Sequence, residues 1–319
     1  MEITPEIKEK LEKINAKYAA LGQDMGSYLE GLLYADTVKY WDYIAIDTLL
    51  SLQKPRTSFP DEVIFIVYHQ ITELYFKLAL REFEQISEKE DLTAEFLVDR
   101  TTRINRYFEA LTKSFEIMVQ GMEKEQFLKF RMSLLPASGF QSAQYRFIEI
   151  ASTDFINLVH KDVRSNFKGT EPIKEMYQNI YWKEGATELD SGKKTLTLEQ
   201  FEERYSDEFI AFGEKNVNSN LWQCYKRLPK VDQERDDVII ALKQNDVNVN
   251  INWPLVHYKS AVRYLHKAPD DIAATGGTNW QKYLPPRFQK RIFYPELWSK
   301  EEVDNWGKTW VEEVLGRQS

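Results

Sequence analysis

Apolar residues recur along this chain at three- and four-residue intervals, the spacing of helices with one buried face. Nowhere does apolar–polar alternation last long enough to predict a strand. Ile7, Leu11, Ile14, Tyr18 and Leu21 trace one stripe and predict a charged amphipathic helix over 5–21. A second helix is predicted over 40–53, stopped by Lys54-Pro55. Thr57-Ser58-Phe59-Pro60-Asp61-Glu62 then combines cap hydroxyls, an early proline and two first-turn acids, the start signals of a helix reaching about 88. Its first half (Val63, Ile64, Phe65, Ile66, Val67, Ile71, Leu74) is apolar nearly all round, which predicts burial on several sides.

Further helices are predicted over 97–122, over 127–135 up to Pro136, and over 143–159 after the Ser138-Gly139-Phe140 turn. A polar, glycine-dotted stretch follows over 161–194. Thr197 and Gln200 fit a capping box opening a helix over 198–212. Helices over 231–245, 254–266 (with Asn252 as cap) and 301–315 complete the pattern, with a loop over 268–278. The prediction is all-α: a single helical-bundle domain over 1–319, with an N-terminal arm at 1–39 and a helical insertion at about 160–250.

Composition narrows the function. Gly and Pro number only 13 and 11 in 319 residues, too few for a fold of many tight turns. The formal net charge of −8 disfavours a nucleic-acid or anionic-membrane partner, since either needs a basic face. A lone cysteine, Cys224, makes neither an internal disulfide nor a cysteine metal site. The first residues lack the basic and apolar regions of a signal peptide, and the apolar run 63–71 is short for a membrane span. A soluble, cytoplasmic protein is the expectation.

Chemistry must come from few groups. There is no His-Glu-x-x-His, Cys-x-x-Cys, EF-hand, phosphate-binding glycine loop or Gly-x-Ser-x-Gly. Four histidines occur, of which His160 and His266 sit beside lysines in polar sequence and read as surface residues. His69 follows Phe65 by four residues, so ring and imidazole share a helix face. That pair suits either the wall of a pocket for a flat ligand or a core histidine bonded to a carbonyl. His257, on an apolar helix after Trp253, suits an iron ligand or a structural role. Arg131, among apolar neighbours, points to a planar anion or a salt bridge. Thr275, in Ala274-Thr275-Gly276-Gly277-Thr278, offers a hydroxyl and backbone donors, or a plain turn.

Three strings carry a resemblance. Phe65-Ile66-Val67-Tyr68-His69-Gln70-Ile71-Thr72-Glu73-Leu74-Tyr75-Phe76-Lys77, then Phe130-Arg131 with Pro136-Ala137-Ser138-Gly139-Phe140-Gln141-Ser142-Ala143-Gln144-Tyr145-Arg146, then Trp253, His257, Arg263 and Thr275-Gly276-Gly277-Thr278 resemble the tryptophan 2,3-dioxygenase family. The likeness runs in order over roughly 40–319, without a match over 1–30 or about 160–235. It implies an all-α, cytosolic homotetramer, a dimer of dimers. Such an enzyme holds haem b and opens the indole 2,3-bond of L-tryptophan with O2, giving N-formylkynurenine at the head of the kynurenine route.

By position, the resemblance makes His257 the proximal haem ligand and His69 the distal acceptor of the indole N–H. It makes Phe65 the ring that packs on the indole, Arg131 the clamp on the substrate carboxylate and Thr275 a contact for the amino-acid head group. Ser138 falls at a turn on the distal side, and Tyr40, Tyr43 and Ile44 fall on the helix that a neighbouring subunit lends to the pocket. Phe127 stands where some members carry a carboxylate-touching tyrosine, and Pro254-Leu255-Val256 replace a more basic run. Two other readings stay open at this level: a haem monooxygenase of the same fold acting on a tryptophan derivative, and a haem-free helical scaffold.

Overall fold

A computed structural model describes residues 3–35, 38–134, 136–186, 193–265 and 286–307. Thr275, His266 and the 268–278 loop lie outside them. Among the described residues there is no strand, only an isolated bridge between Val159 and Ile180, so the all-α expectation holds.

The chain divides into two compact units, Met1–Gln53 and Lys54–Ser319. In the first, helices α1 (Pro5–Ala20) and α2 (Met25–Tyr34) pair by stacking Tyr18 on Tyr28 at 4.1 Å, and Thr4 and Asp24 cap them. The helix expected over 40–53 is instead two turns, α3 (Tyr40–Tyr43) and α4 (Ile46–Leu49). Ala45 divides them with φ at +49°, a left-handed conformation that no side-chain pattern foretells. Tyr40 and Tyr43 are strongly exposed.

The second unit is built on α5 (Asp61–Ser87). Tyr68, Thr72, Phe76, Ala79, Phe83 and Ile86 form its buried stripe, at the three- and four-residue spacing of one helix face. By length and composition alone α5 is apolar enough to cross a membrane; its stripe belongs to the main core, and Glu62 and Glu82 are buried on it. The hydroxyl cap expected near Thr57 does not form. Glu62 instead turns back and accepts from the Arg56 and Thr57 N–H groups at 2.7 and 2.8 Å, which holds its carboxyl below the usual range despite burial.

Helix α6 (Ala94–Ser114) packs on α5, and α7 (Glu116–Gln120) and α8 (Lys124–Phe130) follow it. Helix α9 (Ala143–Ser152) packs on α5's other flank. Short helices α10 (Ile173–Gln178) and α11 (Tyr181–Gly185) lead to α12 (Leu196–Asn216), which packs on α9. Its cap is Thr195, two residues before the predicted Thr197, whose hydroxyl donates to the Pro136 carbonyl instead. After α13 (Leu221–Lys226) and α14 (Lys230–Gln233), α15 (Asp236–Val247) lies on α6, so much of the 160–250 stretch belongs to the same core.

Asn252 caps nothing. Residues Asn248–Asn252 form a π-turn through which α15 runs directly into α16 (Trp253–Leu265). Short helices Pro286–Gln289 and Lys300–Asp304 end the described chain.

Candidate active site

Two side-chain-to-backbone exchanges set α5 against α8. Asp61 accepts from the Glu123 N–H at 2.6 Å, and Gln126 accepts from the Asp61 N–H at 3.3 Å. With the two helix starts joined, Phe65 one turn on meets Phe127 at 6.2 Å and Phe130 at 5.8 Å between ring centroids. Helix α16 closes against both: Phe127 lies 4.6 Å from Tyr264, whose hydroxyl donates to the Val119 and Met122 carbonyls at 3.1 and 3.2 Å.

His69 sits on Phe65 with ring centroids 4.1 Å apart, and its Nδ1 lies 2.7 Å from the Phe65 carbonyl. A carbonyl only accepts, so Nδ1 carries the proton and the neutral ring leaves a lone pair on Nε2. His257 repeats the arrangement one helix away. Its Nδ1 lies 2.9 Å from the Trp253 carbonyl, and its ring touches Trp253 and Phe115 at 4.4 Å each. The backbone-bonded core histidine and the pocket histidine are thus compatible: one nitrogen is satisfied and the other is left to do chemistry.

His257 lies within the electrostatic reach of His69. Desolvation first, and then repulsion from His69, push His257 down to about 4 against the Trp253 carbonyl's opposing pull. Desolvation also lowers His69, opposed by the Phe65 carbonyl and the Glu73 charge. Both residues nonetheless keep some accessible surface. A neutral imidazole with a fixed tautomer and a free Nε2 is the form that binds a transition metal. Among the described residues no group of three or more His, Cys, Asp or Glu side chains is placed to hold a metal ion.

Arg131 follows Phe130 at the end of α8 and is buried, and desolvation holds its guanidinium below the usual range. A carboxylate arriving beside it would relieve that penalty. The structure thus brings Phe65, His69 and Phe127 together where α5 meets α8, with His257 within electrostatic reach of His69, and it places Arg131 next to Phe130 at the far end of α8. Ser138 is half-buried and caps a short 3₁₀ turn, accepting from the Phe140 N–H at 3.3 Å. Tyr40, Tyr43 and Ile44 belong to the other unit. Thr275 lies outside the described residues.

Sequence reasoning missed Phe115 and Tyr264. Trp253 could have been assigned its part, because it precedes His257 by the same four residues that separate Phe65 from His69. Phe115, at the junction of α6 and α7, carries no such signal. A surface cleft of about 670 Å³ near Asp154 and Asn216, and one of about 310 Å³ beside Trp298 and Trp306, contain none of these residues.

A family model described as tryptophan 2,3-dioxygenase matches residues 32–254, a span that includes Phe65, His69, Phe127, Arg131 and Ser138. The chain is 29% identical over 283 residues to a tryptophan 2,3-dioxygenase of Bacillus thuringiensis subsp. konkukian, covering 83% of this chain and 92% of that protein. One from Pseudomonas fluorescens is 26% identical over 278 residues, 83% of this chain and 91% of the relative. One from Ruegeria sp. is 39% identical over 118 residues, 36% of this chain and 42% of the relative. With a matched span running from α2 into α16, the chain belongs to the tryptophan 2,3-dioxygenase family.

Proposed function

We propose that this protein is a haem-dependent dioxygenase that opens the indole 2,3-bond of L-tryptophan with O2 to give N-formylkynurenine. The observation that carries the reading is the pair of imidazoles on α5 and α16, each tied through Nδ1 to the carbonyl four residues back with the Nε2 lone pair left over, and with His69 close enough to lower the protonation of His257. The donor set fits haem: His257 offers Nε2 among Trp253 and Phe115, an apolar setting suited to a flat macrocycle. Bound haem supplies the iron at which O2 is activated.

The residues of the chain position and desolvate. His257 holds the iron through Nε2, while its Nδ1–H to the Trp253 carbonyl fixes the ring's tautomer and direction. His69 presents Nε2 as acceptor for the indole N–H, its other nitrogen anchored to Phe65. Phe65 and Phe127 give the indole an aromatic wall and exclude water. Arg131 grips the α-carboxylate in a bidentate pair. Thr275 and Ser138 serve the head group and the distal side, and Tyr40, Tyr43 and Ile44 complete the pocket of a neighbouring subunit in a cytoplasmic homotetramer. The test is to load the protein with hemin, reduce it anaerobically and add O2 with L-tryptophan. N-formylkynurenine is the expected product; its absence from a protein with a ferrous haem spectrum contradicts the proposal.

A further inference from the structure

The π-turn ahead of His257 has a geometric consequence. In an unbroken α-helix, at about 100° per residue, Val256 would fall in line with Val238 and Asn245 on the face that α15 buries, and His257 would stand about 100° away. A π-turn absorbs the equivalent of one residue. The turn at 248–252 therefore rotates α16 so that His257, not Val256, comes into phase with that buried face.

Such a turn leaves backbone carbonyls without their usual helical partners, and here a buried polar network meets it. The Tyr145 hydroxyl donates to the Val249 carbonyl at 2.9 Å, inside the turn. Arg291 donates to the Tyr145 oxygen at 2.9 Å and through Nε to the side-chain amide oxygen (Oδ1) of Asn250. Asn250 donates in turn to Asp246 at 2.7 Å. Glu149, fully buried, balances Arg291 at 2.8 Å. None of these groups belongs to the pocket described above, yet all converge on the five residues that set the direction of α16.

We propose that Tyr145, Asn250 and Arg291 are positioning residues that hold 248–252 in its π form and so aim the His257 imidazole. The inference rests on the reading of His257 as the iron ligand, but its first readout does not use haem. In haem-free protein, Tyr145→Phe and Asn250→Ala should keep helical circular dichroism and a cooperative melt while displacing the His257 ring ¹⁵N resonances. With hemin, both should weaken binding by about 10- to 100-fold and alter the axial-ligand signature in electron paramagnetic resonance. Arg291→Lys should restore most of what Arg291→Met loses. Lowered melting with unchanged His257 resonances, hemin affinity and resonance signature would overturn the inference, since the network would then be merely structural. Should Asn250→Ala fail to fold, Tyr145→Phe, which removes one oxygen, decides alone. Wild-type protein that takes up no hemin would contradict the haem reading instead, and the ring resonances would still decide this one.

Discussion

His69 and His257 are mounted by the same local device on two unlike helices. Each directs Nδ1 to the carbonyl four residues back, and each rests on that residue's ring, at 4.1 Å for Phe65 and 4.4 Å for Trp253. Helix α5 is one regular run of 27 residues whose own apolar stripe fixes how it turns. Helix α16 emerges from a π-turn, and its azimuth depends on buried groups distant in sequence. An acceptor tolerates small errors of aim, because hydrogen bonds bend; a metal ligand does not. On the proposed reading, the elaborate mount lies under the histidine that has the stricter task.

The two histidines should therefore fail differently. His257→Ala is expected to lose stable haem altogether, read as loss of the Soret band. Retention of both spectrum and activity would break the assignment. Arg131→Met should raise KM with little change in the haem spectrum. A charge-assisted pair contributes roughly 1.5–3 kcal/mol, or about 10- to 150-fold in kcat/KM. A wild-type KM in that variant would remove Arg131 from the pocket.

His69→Ala should keep haem and lose only part of its turnover. The loss is about 3- to 10-fold if His69 acts as an orienting acceptor contributing about 1 kcal/mol. A loss of many thousandfold would recast it as an obligatory base. Phe127→Tyr should lower KM modestly by adding a hydroxyl near the carboxylate, and a rise would show that the hydroxyl clashes where Tyr264 packs at 4.6 Å.

Protonation sharpens the comparison further. In haem-free protein His257 is held at about 4 against an ordinary value of 6.5, so unfolded chains take up a proton that folded ones refuse. Its contribution to stability is thus lost as pH falls from about 6.5 towards 4. Asp246, pushed up to about 6 from 3.8 chiefly by burial, slopes the other way and loses stability as pH rises through that window. The difference in urea midpoint between wild type and His257→Ala, followed across pH 4–7, isolates the imidazole. Parallel curves would contradict its burial in the neutral form.

Much of this was legible in the sequence, for a physical reason. The helix of Phe65 and His69 announces itself through local periodicity, and i, i+4 neighbours share a face whatever the tertiary context. The break at Ala45 and the π-turn were not legible, because neither is a local preference. The latter exists because Tyr145 and Arg291 reach it from 104 and 41 residues away, at Val249 and Asn250 respectively. One trace was visible. Asn245, Asn248, Asn250 and Asn252 are too many amides for a single cap, and the first three are buried. Asn252, read as a helix start, is one member of that ladder, donating to Asn248 at 2.9 Å.

The central claim is that both imidazoles face one macrocycle. It is tested most directly by titrating ferric hemin into haem-free protein while observing the histidine side chains by ¹⁵N nuclear magnetic resonance. One equivalent should broaden His69 and His257 together through the paramagnetic iron and leave His160 sharp. Broadening of His257 with His69 untouched, or of neither, would place the two rings on separate sites and contradict the account.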